Sequence, residues 1–168
     1  MGYPFYLGII ENAALLIAIA VLYDFVWLKY NKQRIFLLQC FLGIMLGLVG
    51  IILMKNPWVL IEGIVFDIRS VLLTISGLFF GAISTLIAMI ITALYRISMG
   101  GDGVYMGVAV IVSSSIISIF WSKFRPQVLS ERRLWEIYIV AIVVHLVMLG
   151  CTAFLPSEIR LETLKTIW

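Results

Sequence analysis

The chain is poor in charge and in chemically reactive side chains. Only 12% of its 168 residues are charged, whereas 63% are hydrophobic, and it contains one histidine and two cysteines. Its mean hydropathy is +1.13, well above that of an ordinary soluble domain. This balance predicts an integral membrane protein.

The absence of catalytic and metal-binding motifs also excludes several functions. No nucleophile elbow, HExxH motif or paired-aspartate motif is present, and one histidine with two distant cysteines makes neither a triad nor a metal site. We expect Cys40 and Cys151 on opposite sides of the membrane, too far apart for a disulfide. The lysines and arginines behind the net charge of +3 are divided among short loops, which argues against nucleic-acid binding. We therefore expect no enzyme activity, metal or cofactor in this chain.

Apolar runs long enough to cross a membrane follow one another along the sequence. A spanning helix needs about 20 mostly apolar residues. We predict an all-α, polytopic membrane helix bundle that forms a single domain over residues 1–168. Its expected transmembrane helices, about six, cover residues 6–28, 35–54, 59–80, 81–99, 103–121 and 134–155.

Basic loops set the expected orientation of the helices. The loops at residues 29–34 and 122–133 carry most of the lysines and arginines, so the positive-inside rule places both in the cytoplasm. The chain must then cross an even number of times between them, which makes the middle stretch a hairpin. We expect its turn at residues 78–81. Its first arm is short, so it is either a broken helix or a partly extended segment.

Polar residues collect in the half of the bundle that this frame puts outside. Glu11 and Asn12 lie on the first helix, Asp67 and Arg69 begin the hairpin, and Arg96 ends it. Each charge within the hydrocarbon costs about 2.5–3.5 kcal/mol on insertion scales, so charges kept there indicate pairing or function. His145, mid-way along the last helix, is expected to hydrogen-bond to a neighbouring helix.

Two interpretations of the arginines remain open. If the hairpin arms pack side by side, Arg69 and Arg96 present two planar guanidinium groups that suit a carboxylate or a phosphate. Alternatively, Asp67 with Arg96, or Glu11 with Arg69, form buried ion pairs that only fix the fold. The pair Gly100-Gly101 makes a tight turn, or it exposes backbone N–H groups toward an anion.

The stretch from residue 67 to residue 107 resembles the five-transmembrane sensor domain of the LytS/YhcK type, found at the N-terminus of bacterial histidine kinases and diguanylate cyclases. The family's motifs correspond here to Asp67-Ile68-Arg69, Gly81, Tyr95-Arg96 and Gly100-Gly101. Asp67 stands where the family commonly has Asn, and Ala82 stands where it often has Pro.

This resemblance implies a receptor in the plasma membrane. Together with the polar residues of the outer half, it gives a candidate ligand site formed by Glu11, Asn12, Asp67, Arg69, Arg96, Gly100 and Gly101. The implied partners are a small, unidentified, anionic ligand, membrane lipid, a second copy of the chain and a cytoplasmic kinase or cyclase module that would follow Trp168. The overall plan is also similar to the substrate-binding membrane components of vitamin transporters. That alternative predicts a natural chain that ends soon after one more helix.

Overall fold

The computed structural model describes residues 35–55, 58–61, 64–66, 69–101, 103–124 and 134–152. Over these residues the chain forms five helices and one short β-hairpin. The helices are α1 (Ile35–Lys55), α2 (Arg69–Ile75, continued by a π-helical turn at Ser76–Phe80), α3 (Ala82–Met99), α4 (Val104–Phe124) and α5 (Leu134–Cys151). The predicted helical membrane bundle is thus confirmed, while the helix expected at residues 6–28 lies outside the described residues.

Three of these helices are long and apolar enough to cross a membrane, over Phe36–Lys55, Ala82–Met99 and Val104–Phe124. Two shorter apolar helices cover Arg69–Phe80 and Trp135–Cys151. Since α2 with its π turn has 12 residues, it is about 18 Å long at 1.5 Å per residue, well short of a hydrocarbon core of about 30 Å. The middle hairpin therefore has one short arm and one full arm.

The segment predicted as the first arm of the middle hairpin, residues 59–80, contains two elements. Its first part is an antiparallel hairpin of β1 (Trp58–Ile61) and β2 (Ile64–Phe66), in which Trp58 pairs with Phe66 and Val59 with Val65. The helix begins only at Arg69. β-Branched and aromatic residues dominate both strands, and they favour extended backbone over helix. The extended alternative for the first arm is the correct one.

Gly81 separates the two arms of the middle hairpin. Its φ of 91° and ψ of 170° lie in a region that is almost restricted to glycine. Thr85 Oγ1 donates a hydrogen bond to the Gly81 carbonyl at 2.9 Å, and the Thr85 and Ser76 hydroxyls lie 2.9 Å apart. The end of α2 and the start of α3 are thus joined by a hydrogen bond between side chains across the turn.

Helices α1 and α3 run parallel and pack closely through the glycines of α1. A Cβ on Gly43 would lie 2.8 Å from the Ser84 carbonyl oxygen, and one on Gly47 would lie 2.8 Å from Ile91 Cβ. Gly50, a turn further on, meets the Thr92 side chain. Small residues allow helix backbones to approach in this way, which is a common packing mode in membranes. We call this contact the glycine seam.

Helix α4 packs against α2, α3 and α5. It approaches α2 closely at Gly77, where a Cβ would collide with the Ser118 side chain and lie 3.0 Å from the Ile119 backbone nitrogen. The apolar core lies between α1, α2, α3 and α4 and consists of Leu42, Leu46, Leu53, Met54, Leu72, Leu73, Phe80, Ala88 and Ile111.

Large apolar side chains cover the outward faces of α1 and α3. They include Phe41, Ile44, Leu48, Leu86, Ile90 and Leu94, all at least 40% exposed. Such continuous apolar exposure is untypical of a soluble monomer. In a bilayer these faces meet the hydrocarbon, so they account for the high apolar fraction of the sequence.

Candidate functional site

Arg69 is buried at the first residue of α2, with 5% of its surface exposed. The short arm of the hairpin therefore carries a guanidinium group into the packed bundle. Burial of a guanidinium group is expensive unless its N–H groups and its charge are satisfied. Its five donors give it the capacity to hold several oxygen atoms at once.

Arg69 and Arg96 lie at similar depths at the same end of the bundle. The Leu72 and Thr92 side chains both reach Gly50, which places these three residues in one layer. Because α2 and α3 run in opposite directions, Arg69 lies roughly 4.5 Å beyond this layer and Arg96 about 6 Å beyond it, at 1.5 Å per residue. We call this end, where α1 and α3 finish and α2 and α4 begin, the arginine end.

The Arg96 side chain lies across the start of α4. A Cβ on Gly107 would lie 2.5 Å from Arg96 Nε and 3.1 Å from its Cδ, and one on Gly103 would lie 3.2 Å from Nη2. Arg96 Nη1 donates a long hydrogen bond of 3.4 Å to the Gly100 carbonyl. Arg96 as a whole residue is half-buried, and its guanidinium group lies beside the glycine-rich connection from α3 to α4.

Gly100 and Gly101 shape that connection through their backbone. Their φ angles are 69° and 88°, in the left-handed region that L side chains rarely adopt. A Cβ on either residue would meet nothing within 4 Å, so packing does not explain why glycine stands there. The Gly100 amide donates to the Ile97 carbonyl at 3.2 Å and closes the end of α3. The tight-turn interpretation accounts for this geometry.

Three predicted site residues, Glu11, Asn12 and Asp67, lie outside the described residues. The proposed ion pairs of Asp67 with Arg96 and of Glu11 with Arg69 therefore stay predictions. The four site residues that the structure describes, Arg69, Arg96, Gly100 and Gly101, all lie at the arginine end.

Buried hydroxyl groups are the main polar feature that the sequence analysis missed. They belong to Ser70, Thr74, Ser76, Ser84, Thr85, Thr92, Ser114, Ser115, Ser118 and Thr152. Most of them donate to a carbonyl one turn earlier in their own helix, for example Ser114 to Val110 at 2.7 Å and Ser115 to Ile111 at 2.8 Å. Such bonds satisfy hydroxyls inside an apolar bundle, and the run Ser113-Ser114-Ser115 was the available signal.

Two further polar residues lie in α5, one expected to bond to a different helix and one not predicted at all. His145 Nδ1 donates to the Ala141 carbonyl of its own helix at 2.8 Å, and its ring is exposed. The expected bond to a neighbouring helix is therefore replaced by a bond within α5. Glu136, which no motif singled out, is only 2% exposed in the first turn of α5, where the helix dipole favours a carboxylate.

The arginine end has the chemistry of an anion site. Arg96 lies beside a turn rich in glycine and the N-terminus of α4, and Arg69 lies at a similar depth, so two positive charges and the positive end of a helix dipole occur at this end. Within the described residues, no group of three histidine, cysteine or carboxylate side chains is placed to hold a metal ion. The arrangement therefore suits recognition of a carboxylate or phosphate oxygen.

The chain matches a known protein family. A family model described as "5TMR of 5TMR-LYT" matches residues 21–168, which is most of the chain. The chain belongs to this five-transmembrane family. The match confirms the resemblance carried by the motifs at Arg69, Gly81, Arg96 and Gly100-Gly101, and it makes the chain a transmembrane sensor domain of the kind used in signalling proteins. Comparisons with curated proteins and with solved structures give no match.

Proposed function

We propose that this sensor domain binds a small anionic ligand at the arginine end and signals to a cytoplasmic histidine kinase or diguanylate cyclase module. The observation that carries the proposal is the burial of Arg69, at a depth similar to that of Arg96, in a chain of the five-transmembrane family. Insertion of an arginine into a membrane is costly, and arginines retained there mark sites of function or pairing.

A carboxylate or phosphate group matches the donors at this end. Each planar guanidinium group can donate two parallel hydrogen bonds to one such group, which gives both affinity and a fixed orientation. The low-dielectric surroundings of Arg69 strengthen its electrostatic interactions relative to those in water. Recognition would therefore depend on charge and on the shape of a small head group.

The position of the site supports a route for the signal. Arg69 begins α2, whose other end contacts α4 through Gly77 and Ser118, and α4 continues to Phe124 at the opposite end of the bundle. A ligand that moves Arg69 would move α2 against α4. The positive-inside rule, applied to the basic loops of the sequence, supports an arginine end outside the plasma membrane and an end at Phe124 that faces the cytoplasm.

A thermal-shift screen on the purified domain in detergent tests ligand binding. The probes are acetate, succinate, citrate and inorganic phosphate, each titrated against the wild type, Arg69→Ala and Arg96→Ala. We expect at least one anion to raise the unfolding midpoint of the wild type, because a ligand that binds only the native state stabilises it. That increase should be lost in both variants.

Two controls make the result interpretable. Lys55→Ala removes an exposed cation at the same end of the bundle and should keep the shift. Arg69→Lys keeps the charge but loses the planar guanidinium fork. It should therefore fold even if Arg69→Ala does not, and it should bind the anion more weakly than the wild type does. A shift that persists unchanged in Arg69→Ala and Arg96→Ala would contradict the proposed site.

The signalling half of the proposal has its own test. The natural reading frame beyond Trp168 should encode a kinase or cyclase module, and ligand added to the full-length protein in membrane vesicles should change that module's activity. A frame that instead stops after one further helix would favour the substrate-binding component of a transporter.

A further inference from the structure

The Arg96 side chain lies along a strip of backbone that carries no side chains. Its Cγ, Cδ and Nε lie against Gly107, and its Nη2 lies against Gly103. These two glycines are four residues apart, so they occupy the same side of the chain on successive turns. We call Gly103 and Gly107 the arginine seat. Neither residue is among the predicted ligand-binding residues.

The seat depends on the absence of a Cβ, most strongly at Gly107. A Cβ there would lie 2.5 Å from Nε, 3.1 Å from Cδ and 3.2 Å from Cγ, so the arginine would have to move away. At Gly103 the single contact, 3.2 Å to Nη2, is milder. Gly150 offers a useful contrast, because a Cβ there would meet nothing within 4 Å.

Charge alone would not keep Arg96 in this position. Its guanidinium group lies beside the N-terminal turn of α4, where the helix dipole is positive and backbone N–H groups lack helical partners. Two groups of the same sign next to each other repel, unless an anion lies between them. Close packing on the seat, with the long bond to the Gly100 carbonyl, therefore holds the cation where an anion would meet both groups.

We propose that Gly107, assisted by Gly103, is the positioning residue that sets Arg96 for ligand binding. This inference rests on the proposed function, because it concerns the same site. Gly107 acts through Arg96 and does not itself need to contact the ligand. A side chain at position 107 would lift the guanidinium group away from the start of α4, so the anion would lose one of its two charged donors.

Chemical labelling of Arg96 tests the positioning directly. Phenylglyoxal, which modifies arginine, would be applied to the purified domain, and the rate at Arg96 would be followed by mass spectrometry. We expect Gly107→Ala to raise that rate about tenfold, the effect of breaking one well-made contact to a charged group. Gly103→Ala should raise it less, and Gly150→Ala should leave it unchanged. An unchanged rate in Gly107→Ala would overturn the proposal.

A double-mutant cycle on the unfolding midpoint separates positioning from a general packing defect. If Gly107→Ala acts through Arg96, its effect on the midpoint should disappear in the Arg96→Ala background, since the group it displaces is gone. An equal effect in both backgrounds would overturn the proposal, because it would show a clash with other parts of the bundle.

Anion binding completes the test and distinguishes the two proposals. With inorganic phosphate or acetate as the probe, Gly107→Ala should bind about tenfold more weakly than the wild type, and Gly150→Ala should bind as the wild type does. If the wild type binds none of the anions, the proposed function fails, whereas the labelling rate and the double-mutant cycle still decide the role of Gly107. Wild-type affinity in Gly107→Ala would overturn that role.

Discussion

The glycine seam between α1 and α3 and the hairpin arm α2 use small residues in different ways. In the seam, three glycines at helical spacing receive the side chains of Ile87, Ile91 and Thr92. In α2, one glycine brings the helix directly against the backbone of α4, and the surrounding contacts are hydroxyls. The seam is a contact between two membrane-spanning helices, whereas α2 with its π turn is a short arm that combines these hydroxyl contacts with the buried side chains of Leu72, Leu73 and Phe80. The element that carries Arg69 is thus short, but its apolar side chains belong to the core of the bundle.

The largest effect is expected from Gly77→Ala. Its Cβ would collide with the Ser118 side chain and lie 3.0 Å from the Ile119 backbone nitrogen, which cannot rotate away. Overpacking of this kind costs about 1–3 kcal/mol, and we expect the upper end of that range. The unfolding midpoint in detergent measures the loss, with Gly150→Ala as the control. A midpoint equal to that of the control would show that α2 does not depend on this contact.

Gly43→Ala should cost less. Its Cβ would lie 2.8 Å from the Ser84 carbonyl and 2.8 Å from Ile87 Cβ, so α3 must shift. Replacing a helical glycine by alanine regains up to about 1 kcal/mol of helix propensity, which partly offsets the clash. The same unfolding measurement should therefore rank Gly43→Ala between Gly77→Ala and Gly150→Ala. The reverse order would mean that the glycine seam is the tighter of the two contacts.

Gly81→Ala tests the turn between the arms through its backbone. A φ of 91° with a ψ of 170° costs a residue with a Cβ about 1–3 kcal/mol. The added Cβ would also meet Gln39 Nε2 at 2.9 Å, but that flexible side chain can move. The loss in unfolding free energy should therefore persist in a Gln39→Ala background. Its disappearance there would assign the cost to the clash and not to the backbone.

The smallest effect is expected from Ser76→Ala. This change removes the hydroxyl bond to Thr85 across the turn, while Thr85 keeps its bond to the Gly81 carbonyl. Side-chain hydrogen bonds between membrane helices contribute about 0.6 kcal/mol on average. The unfolding midpoint should fall only slightly, and Ser113→Ala, whose hydroxyl bonds within its own helix, is the matched control. A loss as large as that of Gly77→Ala would mean that the hydroxyl contact holds the hairpin.

Hydrophobic length and composition predicted the helical bundle, because any stretch of about 20 apolar residues has few alternatives in a membrane. The motif residues Arg69, Gly81 and Arg96 also lie where the sequence put them, at the start, the turn and the end of the middle hairpin. The β-hairpin was not predicted as such, since a short apolar run fits a strand and a helix equally well by periodicity. Gly103 and Gly107 escaped notice because their role depends on where the Arg96 side chain lies, which a single sequence does not encode locally.

The most direct test of the shared anion site is a binding cycle on the two arginines. Isothermal titration calorimetry would measure the affinity of the best-stabilising anion for the wild type, Arg69→Ala, Arg96→Ala and the double variant. Two arginines that hold one anion predict a large loss from either single change and little further loss from the second, since the site is already broken. Wild-type affinity in both single variants would contradict a site built from Arg69 and Arg96.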